Sequence, residues 1–107
     1  MTEAAEVDAE GESARTIAAR VLALPDVAAL SPGHFHTIAT PVAGGRVEGV
    51  AVRETAVEVG IVALWGTPLP QIADQVRETV GGLVPGSAVH VRVTDIVGAA
   101  PGAPGGR

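Results

Sequence analysis

Two histidines at the spacing His34-x-His36 are the first residues in this 107-residue chain whose type and pattern could do chemistry. In an extended segment, residues two apart point to the same side, so both imidazoles could face one metal ion. A metal site takes three or four ligands, and His90 is the only other histidine. The pattern therefore favours two polar residues on a loop or strand edge, and we predict no metal and no other cofactor.

The remaining candidates for catalysis are carboxylates and glycine-rich turns. Glu54, Glu58 and Asp95 could suggest acid–base work, but no nucleophile accompanies them in a known motif. Gly44-Gly45 and Gly81-Gly82 do not match a phosphate-binding loop, because the chain has no lysine to follow the glycines. The chain also has no cysteine, which excludes thiol chemistry. We predict no catalytic residue and no enzyme activity.

Four residues are better suited to contact with another protein. Trp65, the only tryptophan, is expected at a strand end, where its ordinary role is at the rim of the core. Tryptophan is also favoured at the centres of protein interfaces. Arg53, His90 and Arg92 are expected on a sheet face that no helix covers. Residues at such positions are ordinarily exposed to solvent. The alternative hypothesis is that they form a docking surface for another protein.

The elements that must hold these residues begin with a helix predicted from Ser13, a plausible N-cap, to Leu24. Pro25 ends this helix, and residues 26–30 are expected to start a short strand. The conformation of residues 34–40 stays open between a strand and a loop. Residues 43–45 predict a turn.

A hairpin, a helix and a strand are expected to follow. Residues 46–53 and 56–65 form the hairpin, and Thr67 is expected to cap a helix whose first residue is Pro68. The last strand, over residues 88–97, alternates valines with polar residues, so only one of its faces is apolar. The class is therefore α/β (α+β): a two-layer sandwich in α-β-β-α-β order, with two helices on one face of a small mixed sheet. Its core is expected to bury Ile61, Val76 and Val91.

Charge and composition set the boundaries of this domain. Five of the twelve acidic residues precede Ser13, and residues 1–11 are predicted to be a disordered acidic tail. Residues 98–107 are predicted to be a disordered Pro/Gly-rich tail, which leaves residues 12–97 as the domain. From Ser13 onward, seven acidic residues balance seven arginines, which disfavours a nucleic-acid surface. The sequence shows no secretory signal and no run of apolar residues that could span a membrane, so we expect a cytoplasmic protein.

The order of these elements resembles a known family. The hairpin GVAVRETAVEVGIVALWG (residues 49–66), the helix TPLPQIADQVRETV (residues 67–80) and the strand AVHVRVTDI (residues 88–96) are similar to the alkaline shock protein family. These are the Gls-type general stress proteins of Gram-positive bacteria. The segment IAARVLALPDVAAL (residues 17–30) also fits its expected place. The resemblance rests on the order of elements around WGTPLP rather than on one diagnostic motif.

The resemblance implies a small non-catalytic protein of the cell-envelope stress response that acts through protein–protein assembly. Its partner would be a second copy or a membrane-anchored relative that recruits it to the inner face of the membrane. The resemblance implies neither nucleic-acid binding nor direct membrane insertion. The chain departs from the family in the region between Leu30 and Gly45, and in its low content of aromatic residues and lysine.

The alternative is a small domain of the iron–sulfur assembly type that acts as a binding adaptor. Such domains share the helix–hairpin–helix–strand order, but they carry a reactive cysteine near the start of the second helix. This chain has Gly66-Thr67-Pro68 there, so the transfer chemistry is missing. An RNA-binding domain would need a basic, aromatic sheet or a basic glycine loop, and neither is present in the sequence.

Overall fold

The computed structural model describes the backbone of residues 2–98 and the side chains of residues 9–98. Within that part of the chain, two helices and six strands follow one another. They are α1 (Thr2–Leu22), β1 (Val27–Leu30), β2 (Ala39–Val42), β3 (Gly45–Glu48), β4 (Val50–Val52), β5 (Ala56–Leu64), α2 (Leu69–Leu83) and β6 (Ala88–Val97). Neither helix in this part is long and apolar enough to cross a membrane.

The central strand of the main sheet is β5. On one side, β6 runs parallel to it along its whole length. On the other side, β4 pairs antiparallel with residues 57–59 and β1 pairs antiparallel with residues 61–63. The strands β2 and β3 form a separate antiparallel hairpin. The predicted mixed sheet is confirmed, and the short strand expected over residues 26–30 is present as β1. The β2–β3 hairpin is an addition to the predicted order.

Both helices cover one face of this sheet. Alternate residues of β5 point to that face, and all of them are buried: Val57, Val59, Ile61 and Ala63. The helices add their own apolar stripes, with residues at helical spacing: Ala14, Ile17, Val21, Ile72, Val76 and Val80. The two-layer α+β class is therefore confirmed.

Ile61 and Val76 are buried as predicted, whereas Val91 is only half-buried. The prediction for Val91 is wrong because β6 is the outermost strand on its side of the sheet. A residue at that position has neighbours from one strand only.

The first helix is longer at its start than predicted. It begins at Thr2 rather than Ser13, and it ends at Leu22 rather than Leu24. The acidic segment thus continues the helix, in place of the disordered tail that its composition indicates. Acidic residues near a helix N-terminus stabilise it through the helix dipole. Gly11 is buried against Val42, since a Cβ on this glycine would lie only 2.9 Å from the valine Cγ1.

The start of the second helix also differs from the prediction. Pro68 is the N-cap residue of α2, not its first helical residue, and no side chain caps the helix. The Thr67 hydroxyl instead donates a hydrogen bond of 3.2 Å to Oδ1 of Asp26. It therefore ties the segment before α2 to the segment before β1. The predicted tail over residues 98–107 lies outside the described residues except for Gly98.

Two glycines explain how β4 and β1 share one edge of β5. The Gly60 N–H donates to the Gly49 carbonyl at 2.9 Å, and the Gly60 carbonyl accepts from the Ser31 N–H at 2.8 Å. A Cβ on Gly60 would overlap the Ser31 carbonyl oxygen, and one on Gly49 would lie 2.6 Å from the Leu30 Cβ. Gly49 also has φ of 92°, and it splits the strand predicted over residues 46–53 into β3 and β4.

A buried threonine completes this side of the sheet. The Thr40 hydroxyl donates to the Val50 carbonyl at 2.7 Å and accepts from the Val52 N–H at 2.9 Å. The hydroxyl therefore pairs with the outward-facing backbone groups of β4, as the backbone of a neighbouring strand would. The segment before it, whose conformation the sequence leaves open, makes a turn at residues 33–36 and enters β2 at Ala39.

Candidate functional site

The face of the sheet opposite the helices carries a cluster of charged residues centred on Glu58. Its Oε1 lies 3.4 Å from a guanidinium nitrogen of Arg53, and its Oε2 lies 3.3 Å from one of Arg92. His90 is the residue of β6 in register with Glu58. We call Arg53, Glu58, His90 and Arg92 the open-face cluster. Its two arginines and one glutamate leave one formal positive charge, apart from the histidine.

Three separate parts of the chain place this cluster. Glu58 points away from the helices because it alternates with the buried Val57 and Val59 along β5. Arg53 follows β4 directly, and its N–H donates to the Ala56 carbonyl at 2.8 Å across the tight turn. Arg92 comes from β6. Both arginines hold the glutamate side chain against the sheet, and it is only 19% exposed. Their own side chains are more than half exposed.

The loop between β1 and β2 covers the adjoining part of the same face. Ile38 is buried, and its Cδ1 would lie 3.0 Å from a Cβ on Gly60. Phe35 at the loop tip is 87% exposed. A cleft of about 220 Å³ separates this loop from residues 92–94 of β6. The open-face cluster is therefore bordered by a loop on one side and by the edge of the sheet on the other.

The two loop histidines do not form a metal site with neighbouring residues. His36 has φ of 54°, and its Nδ1 lies 3.9 Å from Oε2 of Glu48, the same oxygen that Arg46 contacts at 3.1 Å. His34 is exposed. Among the described residues, no group of three histidine or acidic side chains is arranged to hold a metal ion.

The carboxylates considered for acid–base chemistry have other partners. Glu58 is held by its two arginines. Asp95 accepts a hydrogen bond of 2.8 Å from the N–H of Ile96, its own neighbour in the chain. Glu54 lies exposed in the turn between β4 and β5. In these positions, Glu58 and Asp95 do not form a pair of carboxylates.

A second surface lies at the carboxyl ends of β5 and β6. Four large apolar residues are exposed there, and we call them the apolar edge: Leu64, Trp65, Ile96 and Val97. Trp65 is 50% exposed, and its N–H donates to the Val97 carbonyl at 2.8 Å, which joins the two strand ends. A cleft of about 430 Å³ lies between this edge and the start of α2, where Pro68 and Leu69 also line it.

The four predicted contact residues thus fall into two groups. Arg53, His90 and Arg92 gather around Glu58, as strand alternation predicts. Trp65 lies seven residues after Glu58 in the chain. At the rise of an extended strand this separation corresponds to roughly 23 Å. Glu58 is the centre of the cluster, a role that the sequence pattern alone does not assign to it. Its signal was one acidic residue inside the apolar strand AVEVGIVAL.

Three members of the apolar edge were not predicted from the sequence: Leu64, Ile96 and Val97. The available signal was the loss of alternation at the end of the last strand, where Asp95 is followed by two apolar residues. A register shift opposite Ile61 and Val62 disturbs the pairing of β5 with β6 shortly before that point.

Comparison with known proteins does not assign a family to this chain. No protein-family model, curated protein or solved structure matches it. The structure by itself defines a two-layer α+β domain with an arginine-flanked open face and an exposed apolar edge. The resemblance to the alkaline shock proteins stays a prediction.

Proposed function

We propose that this protein is a non-catalytic interaction protein of the alkaline-shock type, which serves cell-envelope stress homeostasis by assembling with other proteins. Its partner is a second copy of the chain or a membrane-anchored relative. Such a relative would bring a cytoplasmic protein to the inner face of the membrane. We propose neither nucleic-acid binding nor direct insertion into the membrane.

The observation that carries the proposal is the apolar edge. Single exposed apolar residues are common on protein surfaces, but several of them lining one cleft are typical of an interaction site. Here a tryptophan lies within the group, and tryptophan is enriched among residues that dominate binding energy. Leu64 and Ile96 flank the same cleft. A partner seated in this cleft would contact Leu64, Trp65 and Ile96 together.

The open-face cluster supplies the polar part of the same proposal. Interfaces commonly surround an apolar centre with polar and charged residues that set orientation and partner choice. Glu58 has its charge compensated by Arg53 and Arg92, which suits a structural role better than proton transfer. Both arginines are more than half exposed and retain unused N–H donors for a partner.

The test compares Trp65→Ala and Arg92→Glu with the unmodified chain, each checked by thermal melting. Sedimentation velocity measures self-association, and co-purification measures retention of a membrane-anchored relative. We expect either substitution to weaken the complex. Arg77→Glu is the charge control, because it disrupts an exposed ion pair with Asp74 on α2 and should leave binding unchanged.

Phe35→Ala separates the proposed surface from the neighbouring loop. Phe35 is the most exposed aromatic residue of the described chain, but it lies outside both surfaces defined above. If Trp65→Ala and Arg92→Glu fold and assemble like the unmodified protein, the proposed surface is wrong. Loss of assembly in Phe35→Ala alone would move the contact to the loop between β1 and β2.

A further inference from the structure

The outer edge of β6 has no partner strand within residues 2–98. This ten-residue strand pairs with β5 on its inner side, and no described strand pairs with its outer side. Proteins commonly protect such edges with lysine, proline or very short strands. β6 contains neither lysine nor proline, and its pairing is regular over residues 88–93. The edge is thus open to an added strand.

We infer that β6 accepts an extended segment of a partner protein as a further strand, and that the residues which this segment places on the open face are acidic. This inference rests on the proposed function, because it names the binding mode and the chemistry of the partner at the same surface. Addition of a peptide strand to a sheet edge is a general mode of protein recognition.

The hydrogen bonds of β6 show which backbone groups are available. The Ala88 N–H donates to the Thr55 carbonyl at 3.0 Å, so the backbone of Ala88 faces β5. In a parallel ladder, alternate residues face the neighbouring strand. His90 and Arg92 therefore bond inward, and the N–H and C=O groups of residues 89, 91 and 93 point to the outer edge.

The available run ends at Val93, where the register shift begins. Beyond it, the Ile96 N–H is already bonded to the Asp95 carboxylate. An added strand would therefore bond along residues 89–93. That length gives up to three donors and three acceptors, enough to fix the register of a short segment.

The side chains beside this edge set the chemistry of the added strand. On the helix side, Val89, Val91 and Val93 are half-buried and offer apolar contact to alternate residues of the partner. On the open face, the neighbours would be His90 and Arg92. Opposite charges on adjacent strands stabilise a sheet and like charges destabilise it. The positive excess of the open-face cluster therefore favours acidic residues.

A second copy of β6 fits this edge less well. Antiparallel pairing about an axis at Val91 would place His90 of each copy beside Arg92 of the other. Such pairing brings no new carboxylate to the arginines. A segment that alternates apolar and acidic residues satisfies both the backbone groups and the charge.

Binding of a labelled peptide tests the inference on the full chain. The probe is a peptide of about nine residues with alternating valine and glutamate, long enough to span residues 89–93. The same length of alternating valine and lysine, and a valine–glutamate peptide with a central proline, are the peptide controls. Fluorescence anisotropy gives the affinities. We expect the acidic peptide to bind at least about tenfold more tightly than either control.

Two variants of Val91 separate backbone pairing from side-chain contact. Val91→Pro removes an outward N–H that takes no part in the ladder with β5, and Val91→Thr keeps that N–H with a side chain of similar shape. We expect the proline variant to weaken binding about tenfold or more and the threonine variant to bind within about twofold of the unmodified chain. Equal binding by Val91→Pro and Val91→Thr would overturn the inference.

Charge reversal provides a test that does not depend on the folding of Val91→Pro. In the double variant Arg53→Glu and Arg92→Glu, the preference should change from the acidic to the lysine peptide. An unchanged preference, or no binding of the acidic peptide to the unmodified chain, would contradict the inference. A dimer that Val91→Pro abolishes, without peptide binding, would assign the edge to a second copy instead.

These outcomes are distinct from failure of the proposed function. If Trp65→Ala still disrupts assembly while no peptide binds at β6, only the inference about this edge fails. If neither Trp65→Ala nor Arg92→Glu affects assembly and no peptide binds, both fail.

Discussion

The two sides of β5 are built in different ways. On one side, β4 and β1 share the strand end to end, and Gly49 and Gly60 let their backbones approach without side chains between them. On the other side, β6 alone follows β5 for its whole length and leaves its outer edge unpaired by any described strand. One side is closed by two strands in close backbone contact, and the other ends in an edge that no described strand pairs.

This difference separates residues whose substitution should disturb the fold from residues whose substitution should leave it intact. On the closed side, Thr40 occupies backbone groups of β4, and the β2–β3 hairpin lies beyond it. A substitution there disturbs several strands at once. On the open side, His90 and Arg92 have their side chains largely in water, so they can change with little effect on the core.

The largest effect is expected at the glycine junction. Gly60→Val places a branched side chain where even a Cβ overlaps the Ser31 carbonyl. The strands β1 and β4 would have to separate from β5, and we expect a loss of at least about 3 kcal/mol in the free energy of unfolding. Urea denaturation measures it. A midpoint close to that of the unmodified protein would show that the two strands do not meet as described.

A smaller effect is expected when a buried side chain of β5 is shortened. Ile61 is fully buried, so Ile61→Ala should lower the free energy of unfolding by roughly 2–4 kcal/mol through lost contacts and an unfilled cavity. Val91→Ala on the half-buried edge strand should lower it by about 1 kcal/mol. Equal losses in matched denaturation curves would contradict the placement of β5 as central and β6 as outermost.

A glycine remote from the junction should respond in the opposite direction. Gly82 lies in α2, and a Cβ there would meet no atom within 4 Å. Gly82→Ala should therefore raise the free energy of unfolding by roughly 0.5–1 kcal/mol, since alanine favours the helix. The same measurement on Gly60→Ala should show destabilisation. If Gly82→Ala and Gly60→Ala both stabilise the protein, the close backbone contact described at Gly60 is wrong.

The smallest effect on stability is expected in the open-face cluster. Arg53→Gln removes one of the two ion pairs of Glu58, and exposed pairs of this kind contribute roughly 0.2–1 kcal/mol. The loss should shrink further in high salt. Denaturation at low and high salt checks both statements. A loss above about 2 kcal/mol would assign the cluster to the fold rather than to recognition.

Much of the fold could be predicted from local patterns. Turn residues predict the turn at Ala43 and Gly44. Apolar residues repeating every 3.6 and every 2 positions predict most of α2 and the strand β6, respectively. The start of α1 could not, because its acidic residues give no apolar stripe. The junction at Gly49 and Gly60 depends on pairing between distant segments, and no local pattern encodes it.

The candidate site was predictable to a similar extent. Alternation placed Arg53, His90 and Arg92 on one face. It did not reveal that Glu58 joins two of them, because that contact requires a turn on one side and a parallel strand from beyond α2 on the other. The sequence could not show either that one edge of β6 has no partner among the described strands, since strand order is a property of the whole sheet.

Hydrogen exchange at single amides of β6 tests most directly whether the outer edge of this strand is free. It is measured by NMR on dilute protein without ligand. The amides of His90 and Arg92 should exchange slowly because they bond to β5, and those of Val89, Val91 and Val93 should exchange much faster. Slow exchange at all five amides would show that the edge is already covered, and the proposed recognition of an added strand would then be wrong.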